Sequence, residues 1–254
     1  MAGSDTIEEI EGATQLARER IDRLLSLVEP RFPVVVSTTN VAANPWLVVG
    51  PSMLARAAST VRSIGHLSAL QKDADPMSLL RDLLEIVFTF AWLAVDPPAR
   101  IDAWEKADMS SRLQLEDDAK RFGAELLDPS FRAELEAKVV GRPSYPSLLD
   151  RAAEADAHWH NRLPAIQGPE ATDLFRGLYA IHFRHASGFT HSLPIAVNRL
   201  VDDAGNHKVV SLEGTTGTQR GVTNAPITFA LMLYVAAESL AWPTAGAVSA
   251  AVAG

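Results

Sequence analysis

The sequence predicts an all-α fold: a single helical bundle of about eight helices, with a small irregular or hairpin insertion near 200–220. Three observations lead there. Apolar residues recur at helical spacing through most of the chain. A cap or turn residue followed by proline opens four of the periodic segments, at Asp75-Pro76, Asp96-Pro97, Asp128-Pro129 and Gly168-Pro169. Apart from Val34-Val35-Val36, strand-like patterning is confined to one short stretch. Helices in succession bury their apolar stripes against one another, which is a helix-on-helix architecture.

Each element has its own signal. Thr6 and Glu9 form a capping box ahead of Ile7, Ile10, Leu16, Ile21, Leu24 and Val28, predicting an amphipathic helix from about Asp5 to Val28. Glu29-Pro30 stops it. Residues 33–45 read as an irregular connection, with Val34-Val35-Val36 as a short strand. Pro51 opens a second helix, to about Lys72. The third, Met77 to Val95, is apolar nearly all round and is therefore expected at the centre. A fourth runs from Asp96-Pro97 to Gly123, a fifth from Asp128-Pro129 to near Gly141, and a sixth from the Ser147 cap to Trp159. The seventh spans Glu170 to about His191. Asp203-Ala204-Gly205-Asn206 is turn chemistry between short β-prone runs, predicting a hairpin. A last helix runs from about Pro226 to Ala241, Pro243 ends it, and residues 245–254 are expected to fray. The chain divides into residues 1–45, an amphipathic helix with its connection, and 46–254, the bundle on which that helix packs.

Composition narrows the chemistry. Apolar residues make up 47% and charged residues 21%, as in ordinary globular proteins. The net charge of −8 argues against a broad non-specific grip on nucleic acid. The absence of cysteine excludes disulfides, thiolate metal sites and cysteine nucleophiles. The acidic N-terminus does not read as a secretory signal. The longest apolar stretch, Ile227 to Trp242, is short for a membrane span and is broken by Glu238. The expectation is a cytoplasmic protein without a membrane partner.

Five of the seven histidines, His158, His160, His182, His185 and His191, fall within 34 residues. On a regular wheel for the seventh helix, Arg184 and His191 lie within about 20° of each other. Ala180, Ser187 and Gly188 share their face. Phe175, Tyr179, His182, Ala186 and Phe189 take the opposite face, while Leu174, Leu178, Ile181 and His185 form a third side. An arginine can hold a phosphate with two hydrogen bonds and stabilise charge building on it. A histidine can move protons near neutral pH. Together they suit metal-independent cleavage of a phosphodiester.

Arg184-His185-x5-His191 resembles the arginine, polar residue, spacer, histidine signature of the HEPN superfamily (higher eukaryotes and prokaryotes nucleotide-binding). That resemblance implies a helical homodimer with the motif near its interface. It also implies a metal-independent ribonuclease without cofactor, of the kind found among toxins and phage-defence effectors, with RNA as substrate and an antitoxin as a further partner. Carried over, His191 is the acid or base in attack by a ribose 2′-hydroxyl, and Arg184 stabilises the pentacovalent phosphate. His185 is the polar residue orienting Arg184 or the substrate. The supporting residues are Ser187, Tyr179, Arg81 and Glu85. Tyr179-x4-Arg184-x2-Ser187-x3-His191, with the earlier Leu80-Arg81-Asp82-Leu83-Leu84-Glu85, also looks like a family of bacterial helical proteins known only as a domain of unknown function, over about residues 50–200.

Other readings stand beside this one. Arg184, Ser187 and His191 can be a satisfied polar cluster joining helices in a non-catalytic binding or scaffold protein. A metal-dependent hydrolase is a third reading, for which Asp156-x-His158-x-His160 would supply ligands. A regular helix sets His158 and His160 about 200° apart, which opposes that reading, and no metal ligand set is assigned. Arg81 and Glu85 form either an internal i, i+4 pair or part of the site. Any RNA would need a local basic surface, for which Arg56, Arg62, Arg176 and Arg184 are the candidates. The run from Gly214 to Arg220 is turn-like and lacks the lysine and spacing of a P-loop. Glu116-Asp117-Asp118 reads as a solvated helix face.

Overall fold

The computed structural model describes residues 7–69, 74–139, 145–163, 173–191, 201–204, 207–210 and 220–254. Among the described residues the chain is an all-α bundle with one two-stranded hairpin. Its helices are α1 (Ile7–Val28), α2 (Thr38–Ala43), α3 (Trp46–Ala69), α4 (Ala74–Leu93), α5 (Pro97–Arg121), α6 (Pro129–Lys138), α7 (Leu148–Trp159), α8 (Leu174–Leu178) and α9 (Arg184–Thr190). After the hairpin strands β1 (Val201–Ala204) and β2 (His207–Val210) come α10 (Arg220–Ser239) and α11 (Ala245–Ala253).

The predicted central helix is central. From Leu83 to Ala94 every residue of the α4 stretch except Glu85 is buried. It packs against α3, α7, α9 and α10. Its Phe88 is fully buried and meets the rings of Phe175, Tyr179 and Phe183 at 6.3–6.4 Å between centroids. Offset and edge contacts of this kind add to the area buried. The second wall is α10, whose start crosses the start of α4 so closely that only a glycine fits. A Cβ on Gly221 would lie 2.8 Å from the Pro76 carbonyl carbon.

Where helix bounds differ from the sequence reading, capping and tertiary contacts explain the change. The second long helix starts at Trp46, before Pro51. Asn44 Oδ1 accepts from the Trp46 amide at 3.2 Å and Pro45 precedes the first turn, so the cap-plus-proline signal sits at Asn44-Pro45. Pro51 lies inside the helix and is buried. Residues 34–36 are not a strand, and Val35 is 90% exposed. The connection instead holds α2, capped by the Ser37 side chain. Pro226 likewise lies inside α10 and does not open it.

The C-terminal residues form a helix instead of fraying. Thr244 Oγ1 caps α11 by accepting from the Ala247 amide at 3.3 Å. Arg23 Nε donates to the Ala251 carbonyl at 3.0 Å, and Tyr234 and Ser249 share a 2.9 Å hydroxyl hydrogen bond. These bonds and the burial of Val248 and Ala251 against α1 and α10 stabilise a segment too short to persist alone. The predicted hairpin is antiparallel, with Val201 opposite Val210 and Ala204 opposite His207. Of the expected turn Asp203-Ala204-Gly205-Asn206, the first two residues belong to β1, paired with Lys208 and His207, and Gly205 and Asn206 lie outside the described residues.

Helix α5 differs from α4, with only Ile101 and Glu116 fully buried along 25 residues. The run Glu116-Asp117-Asp118 is therefore not uniformly solvated. Glu116 accepts from the amides of Leu126 and Leu127 at 2.8 and 3.0 Å and closes the turn into α6. Those amides hold its carboxyl below the ordinary carboxylate value, against the opposing effect of burial. Gly123, with φ of +77°, supplies the left-handed residue that ends α5.

Candidate functional site

The predicted seventh helix carries most candidate residues, and its first described turn is held by another helix. Asp156 on α7 is buried and accepts from the amides of Phe175 and Arg176 at 2.8 and 2.9 Å. These are the orphan donors of a helix start, and a carboxylate there also meets the positive end of the helix dipole. Burial pushes the Asp156 carboxyl upward, opposed by those two amides. The aspartate that could have been a metal ligand thus serves as a cap. His158 lies half-buried edge-on to Trp159, 4.7 Å between centroids, and its pKa is lowered first by burial and then by Arg162 and Arg100. His160 is exposed. Among the described residues no group of three or more His, Cys, Asp or Glu is placed to hold a metal ion.

Between α8 and α9 the backbone forms a π-helical turn, Tyr179–Phe183, which the sequence wheel does not anticipate. A π turn widens the helix by about one residue and shifts the phase of the residues beyond it. Tyr179 and Phe183 stack at 5.2 Å with planes 15° apart, and both face Phe88. Ile181, which a regular wheel groups with Leu174 and Leu178, is 67% exposed. Gly188, which the wheel sets beside Arg184 and His191, is buried.

Arg184 opens α9 and His191 follows its last residue, so the short regular stretch between them keeps their common direction. Both are exposed, and neither side chain has a hydrogen bond or ion pair among the described residues. Ser187, half-buried, lies between them, and its carbonyl accepts from the His191 amide at 3.0 Å. His185 points elsewhere, half-buried and edge-on to Phe189 at 5.6 Å. Tyr179 belongs to the aromatic cluster around Phe88.

Of the four arginines considered for a basic surface, two are neutralised. Arg62 pairs with Glu29, and Arg176 pairs with Asp173 and, at 3.6 Å, with Asp156. Arg56 and Arg184 have no carboxylate partner among the described residues.

Arg81 and Glu85 lie on the wet face of α4 and line a cleft of about 550 Å³ bounded by α3, α4 and α5. Arg81 pairs with Asp82 at 3.0 Å and Glu85 at 3.4 Å, so the predicted i, i+4 pair exists and also lines a cavity. Its guanidinium lies over Phe183 at 5.3 Å, which ties the cleft to the π turn. Ser52 and Arg56 from α3, Thr89 from α4 and Trp104 from α5 complete the polar and aromatic lining. Behind Thr89, Arg151 on α7 is 7% exposed, donates to Thr89 Oγ1 and lies 4.7 Å from the Tyr145 ring centre. Burial lowers its pKa and raises that of Tyr145.

Sequence reasoning missed Ser52, Thr89, Trp104 and Arg151 here. The legible signal was Arg151, a charge set among Leu148, Ala152, Ala155 and Trp159 on the apolar face of its helix. The glycine-rich run 214–219 lies outside the described residues. No helix among them is long and apolar enough to cross a membrane.

These features define an all-α protein with an exposed arginine–histidine face on a π-interrupted helix and a charged cleft on the neighbouring helices. The chain belongs to a family of unknown function (DUF5677), whose profile matches residues 48–208. The match coincides with the stretch read from sequence as a domain of unknown function. It runs from α3 to β2 and so includes both the α9 face and the cleft. No curated protein and no solved structure matches the chain.

Proposed function

We propose that this chain is a HEPN-like helical protein that cleaves RNA without a metal, using the exposed face of α9. The observation that carries the reading is that Arg184 and His191 leave the same side of one short helix, both exposed and both without side-chain partners among the described residues. Their Cα atoms are about two turns, or 10 Å, apart along the helix. In this reading Arg184 takes the phosphate and the charge that builds on it. His191 takes the proton from the attacking 2′-hydroxyl or returns one to the leaving 5′-oxygen. One histidine per chain serves one of those transfers, so two chains related by a two-fold axis supply both. Ser187 between them is the supporting hydroxyl. Arg81 and Glu85 support the π turn from beneath, through Phe183. The protein acts in the cytoplasm, in stress or phage defence, with an antitoxin as its restraining partner.

The exposure of Arg184 and His191 supports this reading over a scaffold in which they are internal polar glue. It also makes the test clean, since Arg184→Ala and His191→Ala remove no described contact and should remain folded. Purified wild-type protein is expected to cleave RNA in the presence of EDTA, and each variant to lose at least about 100-fold of that rate. Wild-type protein that leaves RNA intact and is harmless when overexpressed overturns the proposal. If either variant unfolds, the polar-network reading takes its place.

A further inference from the structure

We propose that the cleft between α3, α4 and α5 binds a small organic anion, its charged head at Arg56 and Arg81 and an aromatic body against Met53, Ile86 and Trp104. This inference stands apart from the α9 face and from RNA cleavage.

Size and lining come first. A cavity of about 550 Å³ lies within the range of small-molecule sites, which are typically apolar with a few placed polar groups. Here the apolar wall is Met53, Ile86 and Trp104, from three different helices. Trp104 is half-buried and offers a flat surface suited to an aromatic ring.

Charge gives the sign of the ligand. In a chain of net charge −8, three guanidinium groups gather on and behind this cleft, against two carboxylates. Both carboxylates, Asp82 and Glu85, are engaged by Arg81. Arg56 has no carboxylate partner among the described residues. Arg81 Nε is buried without a hydrogen-bond acceptor among the described residues. Arg151, more than nine-tenths buried behind Thr89, also leaves its Nε without an acceptor and, among the described residues, has no carboxylate within ion-pair distance. Buried donors of this kind are normally satisfied, and a buried cation normally has a counter-charge. A cationic ligand would have to compete with Arg81 for its carboxylates. An anionic one meets the open donors of Arg56, lies against the guanidinium of Arg81 and offsets the buried charge behind.

The test is calorimetric titration of the full chain with 1-naphthyl phosphate, 2-naphthoate and the neutral 1-naphthol. At least one of the two anions is expected to bind at least tenfold tighter than 1-naphthol. Arg56→Gln should weaken that binding at least tenfold, as should Ser52→Trp, which fills the cleft from its exposed rim without changing charge. Both should keep the wild-type circular dichroism spectrum. His191→Ala should bind the anion as wild type does. The proposal fails if neither anion binds, if 1-naphthol binds equally well, or if both cleft variants bind like wild type.

Discussion

Helices α4 and α5 follow one another in the chain and do opposite work. Along α4, twelve consecutive residues from Leu83 hold the centre of the bundle, and eleven of them are buried. Along α5, buried positions are rare, and Leu115 and Phe122 beyond it are 60% and 89% exposed. The first is held by apolar burial on several sides. The second is joined to α6 by one buried carboxylate, which holds the connecting turn, and by one ion pair, Arg132 to Asp117 at 2.9 Å. Apolar burial is the larger source of stability, and exposed ion pairs contribute little. Adjacent helices can therefore belong to different cooperative units.

Substitutions rank these two regions. Phe88→Ala empties the centre of the aromatic cluster and should cost about 3–5 kcal/mol, read as a lower urea midpoint for the whole chain. Gly221→Ala forces a Cβ onto the Pro76 backbone and should cost about 1–3 kcal/mol. If it is neutral, α10 and α4 are not locked together at their starts. Glu116→Gln should speed amide exchange at Leu126 and Leu127 while leaving the global midpoint nearly in place. A midpoint shift as large as that of Phe88→Ala would show α5 and α6 to be part of the core unit.

The same carboxylate makes the arm acid-sensitive. The folded pKa of Glu116 is lowered, so its contribution is full above the ordinary carboxylate range and is lost as pH falls through the lowered value. The protection factors of the two leucine amides in wild-type protein, taken against the intrinsic exchange rate at each pH, should therefore fall in acid. Leu115→Ala is the smallest perturbation, expected within about 0.5 kcal/mol of wild type. A larger drop would mean that the arm packs against something when the protein folds in solution.

Periodicity made the fold legible because α1, α4, α7 and α10 carry long apolar patterns, and Ser147 with Asp150 closes the capping box of α7. It failed where the deciding contact comes from elsewhere in the chain. Residues 245–254 carry a local cap at Thr244 and an alanine-rich run, but the anchors that hold so short a helix, Arg23 and Tyr234, come from elsewhere. Likewise, the sequence near 174 does not announce that Asp156 caps the helix there. The arginine–histidine pair was legible because it lies within one regular segment. The cleft was not, because Arg56, Arg81, Trp104 and Arg151 come from four helices and meet only once these have packed.

The π turn at Tyr179–Phe183 has a consequence for how this helix can vary. An extra residue held in a helix is a matter of length, and substitution alone does not remove it. Deleting Ala180, which is exposed, would let the backbone close into an unbroken α-helix. With Phe175 and Asp156 fixed at one end, Arg184 and His191 would keep their bearing, because the π turn already absorbs the rotation of about 100° that the extra residue would add. The aim of that face relative to the bundle is thus insulated from the extra residue. A deletion there would remove the bulge and leave the face in place, where closing the turn at full length would swing it.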